Sequence, residues 1–186
     1  PAQNMVLGDS AGHIGWTIAG RIPLRNGEPG MPELSTDAHP GFSGWVSPAD
    51  QPRILDPPGG LLWSANARVT GGPAAGRIGD GGMDRGARAQ QIHADLLAIS
   101  SPVTPAASLA VQLDDRALFL ARWRELLSGL LRRQESAGDH RHPRAAEVLR
   151  HWSGQALPSD AAYRLVSAIR ARGGARGFFM LVAPSR

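Results

Sequence analysis

Residues 4–25, "NMVLGDSAGHIGWTIAGRIPLR", decide how the first half of this chain is read. Two apolar runs, Met5-Val6-Leu7 and Ile14 to Ile18, flank the polar stretch "DSAGH" at 9–13. Asp and Gly between apolar runs mark a tight turn, so the stretch predicts an antiparallel hairpin. Nothing beside it starts chemistry: Ser10 has no adjacent base to activate its hydroxyl, and neither has Ser64 further on.

Working outward, residues 1 to about 82 are rich in Gly and Pro, and Leu61 to Trp63 reads as a third strand. A long irregular stretch, "RNGEPGMPELSTDAHPGFSGW" at 25–45, separates it from the hairpin. A loop of that length inside a compact domain lines a site or packs against another chain. Three such short strands do not bury both faces unaided, which points to polypeptide beyond this segment.

The second half, 83–174, reads as helical. Ala89, Ile92, Leu96 and Ile99 share one face. Thr104-Pro105 is an N-cap and first-turn pair that opens one long amphipathic helix through "ASLAVQLDDRALFLARWRELLSGLL" (107–131). A third helix starts near His142-Pro143 and stops at Gly154. A fourth runs from about Ser159 to Arg172 and ends in Gly173-Gly174. The tail, 175–186, contains "GFFMLV" and fits a buried strand or the start of a helix equally well. The fold class is therefore α+β.

Composition excludes several functions. The 186 residues hold no cysteine, so disulfides and thiolate metal sites are excluded. No run approaches the roughly 20 apolar residues that span a bilayer. All 20 Lys/Arg positions are arginine, scattered and interleaved with Asp and Glu as in "LDDRALFLARWRE" at 113–125. A nucleic-acid binder gathers its charge on one face, so no nucleic-acid partner is expected.

Other clusters carry simpler readings. His140, His142 and His151 do not fit zinc-ligand spacing and read as surface histidines. Asp114 and Asp115 point apart on a helix and serve as charge partners for Arg116. "GGPAAGRIGDGG" at 71–82 lacks both the P-loop Lys-Ser/Thr and the dinucleotide spacing, and reads as a flexible connector. Pro1 reads as a processing boundary. Asn66 closes the expected strand "LLWSAN", and Arg88 lies in the first turns of the next helix. Taken alone, a turn former and a surface arginine explain them.

The ordered motifs give them more weight. "AQNMVLGDSAGHIGWTIAGRIPLR" (2–25) resembles the strand pair N-x-V-x-A-D-x-x-G-x-I-G-Y/W-x-x-x-G-x-I-P-x-R of the penicillin acylase (penicillin amidase) family. "GFSGW" (41–45) resembles its Gly-Trp. "DPPGGLLWSANARV" (56–69) resembles P-x-x-G-x-I-x-T-A-N-N-R, and "MDRGARAQQIHADLLA" (83–98) resembles its R-A-x-R-I-x-x-L-L helix. "LAVQLDDRALFLARWRELL" (109–127) and "WSGQALPSDAAYRLVSAIR" (152–170) resemble its Q-x-D helix and its W-D/x-G…S-x-A-Y-R-L-V block.

The resemblance implies a central segment of the large subunit of an N-terminal-nucleophile hydrolase. It implies a share of a four-layer α-β-β-α sandwich of antiparallel strands, followed by a helical extension. A serine exposed by self-cleavage of the precursor attacks a linear acyl amide, with its own α-amine as base. That serine falls outside these residues, so the chain alone is expected to be inactive. Its partners are then the small subunit and the serine-led part of the large subunit, with a small-molecule acyl amide as substrate. β-Lactam antibiotics and N-acyl homoserine lactones are candidates. The family resemblance also implies a periplasmic or secreted location.

Carried over by motif, Asn66 supplies an oxyanion-hole amide, and Arg88 orients that amide and the serine amine. Gln3 falls where an acyl-pocket residue stands. The second Asn of A-N-N-R is Ala67 here. Some members bind calcium with an acid at the position that is Arg77 in ungapped register, so no metal and no cofactor is expected from this segment. The alternative is a degenerate, non-catalytic acylase-like scaffold or binding module.

Overall fold

The computed structural model describes residues 2–26, 41–79, 83–100 and 102–172. The long stretch expected between the hairpin and "FSGW" lies mostly outside these, as do Pro1, Gly173-Gly174 and the "GFFMLV" tail. The chain divides into two compact units, Pro1–Val103 and Thr104–Arg186.

In the first unit the hairpin forms as expected, from β1 (Gln3–Gly8) and β2 (Ile14–Ala19), antiparallel with Val6 opposite Trp16 and Asn4 opposite Ile18. Its turn is built by Asp9, whose carboxylate accepts from the Ala11 and His13 amides at 2.9 Å each. Gly12 closes it at φ 89°, a conformation that costs a side-chain-bearing residue far more.

Three short strands appear that the sequence did not announce: β3 (Pro23–Arg25), β4 (Phe42–Trp45) and β5 (Arg53–Leu55). The sheets are β1-β2-β5 and β3-β4, both antiparallel. Trp16, Ile18 and Ile22 are buried beneath Val46, Ile54, Leu62, Val69 and Ile78. Full burial of one such aliphatic side chain stabilises by about 1.5–3 kcal/mol. Asn4 turns its side-chain oxygen to the indole N–H of Trp16 at 3.0 Å, which satisfies the polar end of that buried ring.

The expected strand at Leu61–Trp63 is absent, because its apolar side chains serve different neighbours rather than one pleated face. Leu62 packs on the Trp16 cluster. Trp63 stacks on His93, with ring centroids 3.9 Å apart and planes 10° from parallel. The expected connector at 71–82 is also corrected: Gly72–Ile78 form α1, with Pro73 in its first turn. Arg25 reaches the α1 carbonyls of Arg77 and Ile78 at 3.4 and 3.5 Å. A cation at carbonyls that lack helical partners is favourable. α2 spans Ala87–Ala98, with Ala89 buried and Ile92 and Leu96 half-buried.

In the second unit Thr104 caps α3 (Pro105–Gln112), its hydroxyl accepting from the Ala107 amide at 3.1 Å. The single long helix expected from there is broken. Asp114 takes both the backbone N–H of Arg116 and its guanidinium, at 3.1 and 2.7 Å. A side chain that captures a nearby amide competes with the helical ladder. Residues Asp115 and Ala117 instead bond to Ala156 and Gly154, at 2.7 Å each. Asp114 and Asp115 therefore lie in this break and not on a helix, although Asp114 does pair with Arg116.

The helix resumes as α4 (Leu118–Ser136), followed by α5 (Pro143–Arg150) and α6 (Ala161–Arg172). α5 stops short of Gly154, and α6 starts after Asp160. Leu127, Leu131, Leu149, Ala162 and Val166 form the buried centre of this unit, with Leu120 and Trp123 packed against it.

Candidate functional site

Past Trp63 the backbone makes a turn in which Ala65 (φ 49°) and Asn66 (φ 62°) are both left-handed. Asn tolerates this conformation, whereas Ala adopts it at a cost of order 1–2 kcal/mol. Such strain persists only where neighbours hold it. Here the Ala67 amide donates to the Ser64 carbonyl at 2.9 Å, and the Asp84 amide donates to the Asn66 carbonyl at 2.8 Å. Ala67 and Asp84 form an isolated parallel bridge.

α2 begins three residues after Asp84, with Gly86 in the left-handed conformation at its N-cap (φ 77°). This brings Arg88 back over the turn. Its Nη2 donates to Asn66 Oδ1 at 2.9 Å and to the Ala65 carbonyl at 3.1 Å. The Asp84 carboxylate accepts from Arg88 Nε and Nη2 at 3.2 and 3.0 Å, and its other oxygen accepts from the Arg85 amide at 2.8 Å.

The guanidinium carries donors only, so it dictates which end of the Asn66 amide faces it. Oδ1 turns toward Arg88 and Nδ2 points away. Among the described residues Nδ2 makes no hydrogen bond, and Asn66 is exposed. The arrangement can therefore offer one oriented N–H donor to an incoming oxygen.

Of the sequence-derived candidates, Asn66 and Arg88 meet directly. Gln3 sits at the start of β1 opposite Ala19, exposed, with no bond to either. Asp84 was missed by sequence reasoning. Its signal was the spacing of an acid four residues ahead of an arginine, a common pairing on helices. Trp63 and His93 were missed as well, and their stack joins the segment before Asn66 to α2. The Asn66 backbone is also not the strand end that the sequence suggested, but a strained turn.

Elsewhere, Arg77 contacts Asp50, donating to its carbonyl at 2.8 Å with a carboxylate oxygen 3.6 Å away. Among the described residues no three His, Asp or Glu side chains gather to hold a metal ion. No described helix is long and apolar enough to cross a membrane. Neither Ser10 nor Ser64 bonds to a base among the described residues. His140 and His142 border a cleft of about 230 Å³ between the end of α4 and the start of α5. His151 pairs with Glu147 on the surface at 3.1 Å.

The family model described as penicillin amidase matches residues 1–178. The chain belongs to the penicillin amidase family. It is 41% identical over 68 residues to "Penicillin acylase 2 proenzyme" of a Pseudomonas species, a match covering 36% of this chain and 9% of that protein. It is 41% identical over 69 residues to acyl-homoserine lactone acylase QuiP of Pseudomonas fluorescens, covering 37% of this chain and 8% of that protein. The matched stretches thus span less than a tenth of these curated relatives.

Proposed function

We propose that this chain is a segment of an amide hydrolase that cleaves a linear acyl amide by means of an N-terminal serine supplied from outside these residues. The observation that carries the reading is the Arg88–Asn66 hydrogen bond of 2.9 Å, which leaves Nδ2 turned outward. In this reading the serine hydroxyl attacks the acyl carbonyl carbon while its α-amine takes the proton. The oxyanion that forms accepts a hydrogen bond from Asn66 Nδ2. Collapse of the adduct breaks the C–N bond, the amine leaves with a proton, and water then hydrolyses the acyl-serine ester.

An oriented donor helps because it need not reorganise as charge develops. Arg88 keeps that donor aimed, and Gln3 contributes a polar wall to the acyl pocket. The exposure of Asn66 suits a half-site completed by the remaining segments of the enzyme, the small subunit and the serine-led part of the large subunit. Together they would form the four-layer sandwich of a processed precursor, exported to the periplasm or secreted.

The substrate class follows the names of the two relatives: a β-lactam antibiotic side chain or an N-acyl homoserine lactone. The chain by itself hydrolyses neither. In the assembled enzyme, Asn66→Ala lowers kcat by about 10²–10³, read by amine release from an acyl amide. A kcat equal to the parent's would overturn the role of Asn66. Turnover by the 186-residue chain alone would overturn the external nucleophile.

A further inference from the structure

Arginine loses much side-chain rotamer freedom when it is held, and Arg88 is exposed, so contact with Asn66 alone would not hold its guanidinium in place. Its Nη2 has two hydrogens but three acceptors within reach: Asp84 Oδ2, Asn66 Oδ1 and the Ala65 carbonyl. The acceptor that also takes Nε fixes the plane of the fork, and that acceptor is Asp84 Oδ2. The Asp84 carboxylate is in turn steadied by the Arg85 amide.

Asp84 also acts through its backbone, since its amide holds the carbonyl of the left-handed Asn66. One residue thus fixes Asn66 at both ends, the main chain directly and the side chain through Arg88.

We infer that Asp84 is a positioning residue that sets the direction of the Asn66 Nδ2–H donor by locking the Arg88 guanidinium. The inference rests on the reading of Asn66 as oxyanion donor given above. It makes the donor a three-residue unit, Asp84–Arg88–Asn66, in which only Asn66 touches the reacting oxygen. A misaimed donor weakens a bond made chiefly in the transition state, so the effect falls on kcat and not on KM.

The test uses the assembled acylase that carries this segment, with an acyl amide substrate and active sites counted by titration. Asp84→Asn keeps the backbone bond to Asn66 and removes the carboxylate charge. It is expected to lower kcat about tenfold or more with KM unchanged. In an Asn66→Ala background the same change should have little further effect, because the residue acts through Asn66.

A kcat for Asp84→Asn equal to the parent's, while Asn66→Ala collapses turnover, overturns this inference alone. A parental kcat for Asn66→Ala overturns the underlying reading and this inference with it. An equal loss in both backgrounds also overturns it, since the effect would then be general. Should Asp84→Asn not fold, Asp84→Glu replaces it, its longer stem displacing the carboxylate from Arg88; an unchanged kcat is again the overturning result.

Discussion

Arg88 Nη2 lies 2.9 Å from Asn66 Oδ1, so the first helical turn of α2 grips the side chain of a strained turn 22 residues earlier in the chain. The same nitrogen also reaches the carbonyl of Ala65. The two left-handed residues and their arginine form a single hydrogen-bonded group, and its parts respond together to substitution.

Arg88→Lys tests the fork. Lysine keeps the charge but offers a flexible ammonium in place of a planar guanidinium, so it cannot hold Asp84, Ala65 and Asn66 at once. A hydrogen bond involving a charged group contributes about 1.5–3 kcal/mol. In the assembled enzyme kcat should therefore fall about tenfold to hundredfold, with KM little changed. Steady-state kinetics on an acyl amide check this.

Ala65 provides a stability test of the same turn. A β-branched side chain at φ 49° is a genuine outlier, so Ala65→Val should destabilise the chain by about 1–3 kcal/mol. Ala65→Gly removes the left-handed penalty but loosens the unfolded chain, leaving stability within about 1 kcal/mol of the parent. Urea midpoints of the two variants should move apart, the valine variant unfolding earlier. Midpoints that coincide would show that the turn is not under strain.

What the sequence made legible had local causes. Asp9 and Gly12 write the hairpin turn, and Thr104-Pro105 writes the start of α3; both sit where their own side chains and backbone determine the structure. Leu61–Trp63 was misread because an apolar run does not say whether its side chains share a face, and these go to the Trp16 cluster and to His93. The break between α3 and α4 was illegible for a related reason. It depends on Asp114 taking the Arg116 amide and on bonds to residues 154 and 156, about 40 positions away.

The site divides in the same way. Asn66 and Arg88 were found through motif likeness, because neither residue type at its position announces chemistry. The left-handed turn and the Asp84 clamp involve backbone geometry and contacts across some 20 residues, which no periodicity encodes.

The second unit offers a packing test independent of the site. Leu149 on α5 is 2% exposed and meets Leu127 and Leu131 of α4 and Val166 of α6. Leu149→Ala removes side-chain contacts from the buried cluster that α4, α5 and α6 share and should cost about 2–5 kcal/mol. Leu113→Ala, at a residue 69% exposed, should change stability by less than about 0.5 kcal/mol. Thermal unfolding followed by far-UV circular dichroism distinguishes them.

Asp160 sets the start of α6 and gives the unit a pH signature. Burial alone would raise its carboxyl, but hydrogen bonds from the Ser153 hydroxyl and from the Tyr163, Ser153 and Ala162 amides outweigh it and hold the group at about 2. The Tyr163 amide bonds to Oδ1 at 2.9 Å and the Ser153 amide to Oδ2 at 2.9 Å, so the carboxylate caps the helix and ties down the preceding loop. A folded value below the ordinary 3.8 means that the charged form is favoured by folding. This stabilisation is complete above about pH 4 and disappears as pH falls through 2. Asp160→Ala should cost about 0.5–2 kcal/mol at neutral pH through loss of the cap. Asp160→Asn retains an acceptor for the Tyr163 amide but cannot titrate, so its melting temperature should fall less steeply than the parent's between pH 4 and 2. Asp139, held at about 2 by Arg141, remains in both proteins, so the difference between the two curves isolates Asp160. Curves that run parallel through that window would show that the charge of Asp160 does not contribute to folding.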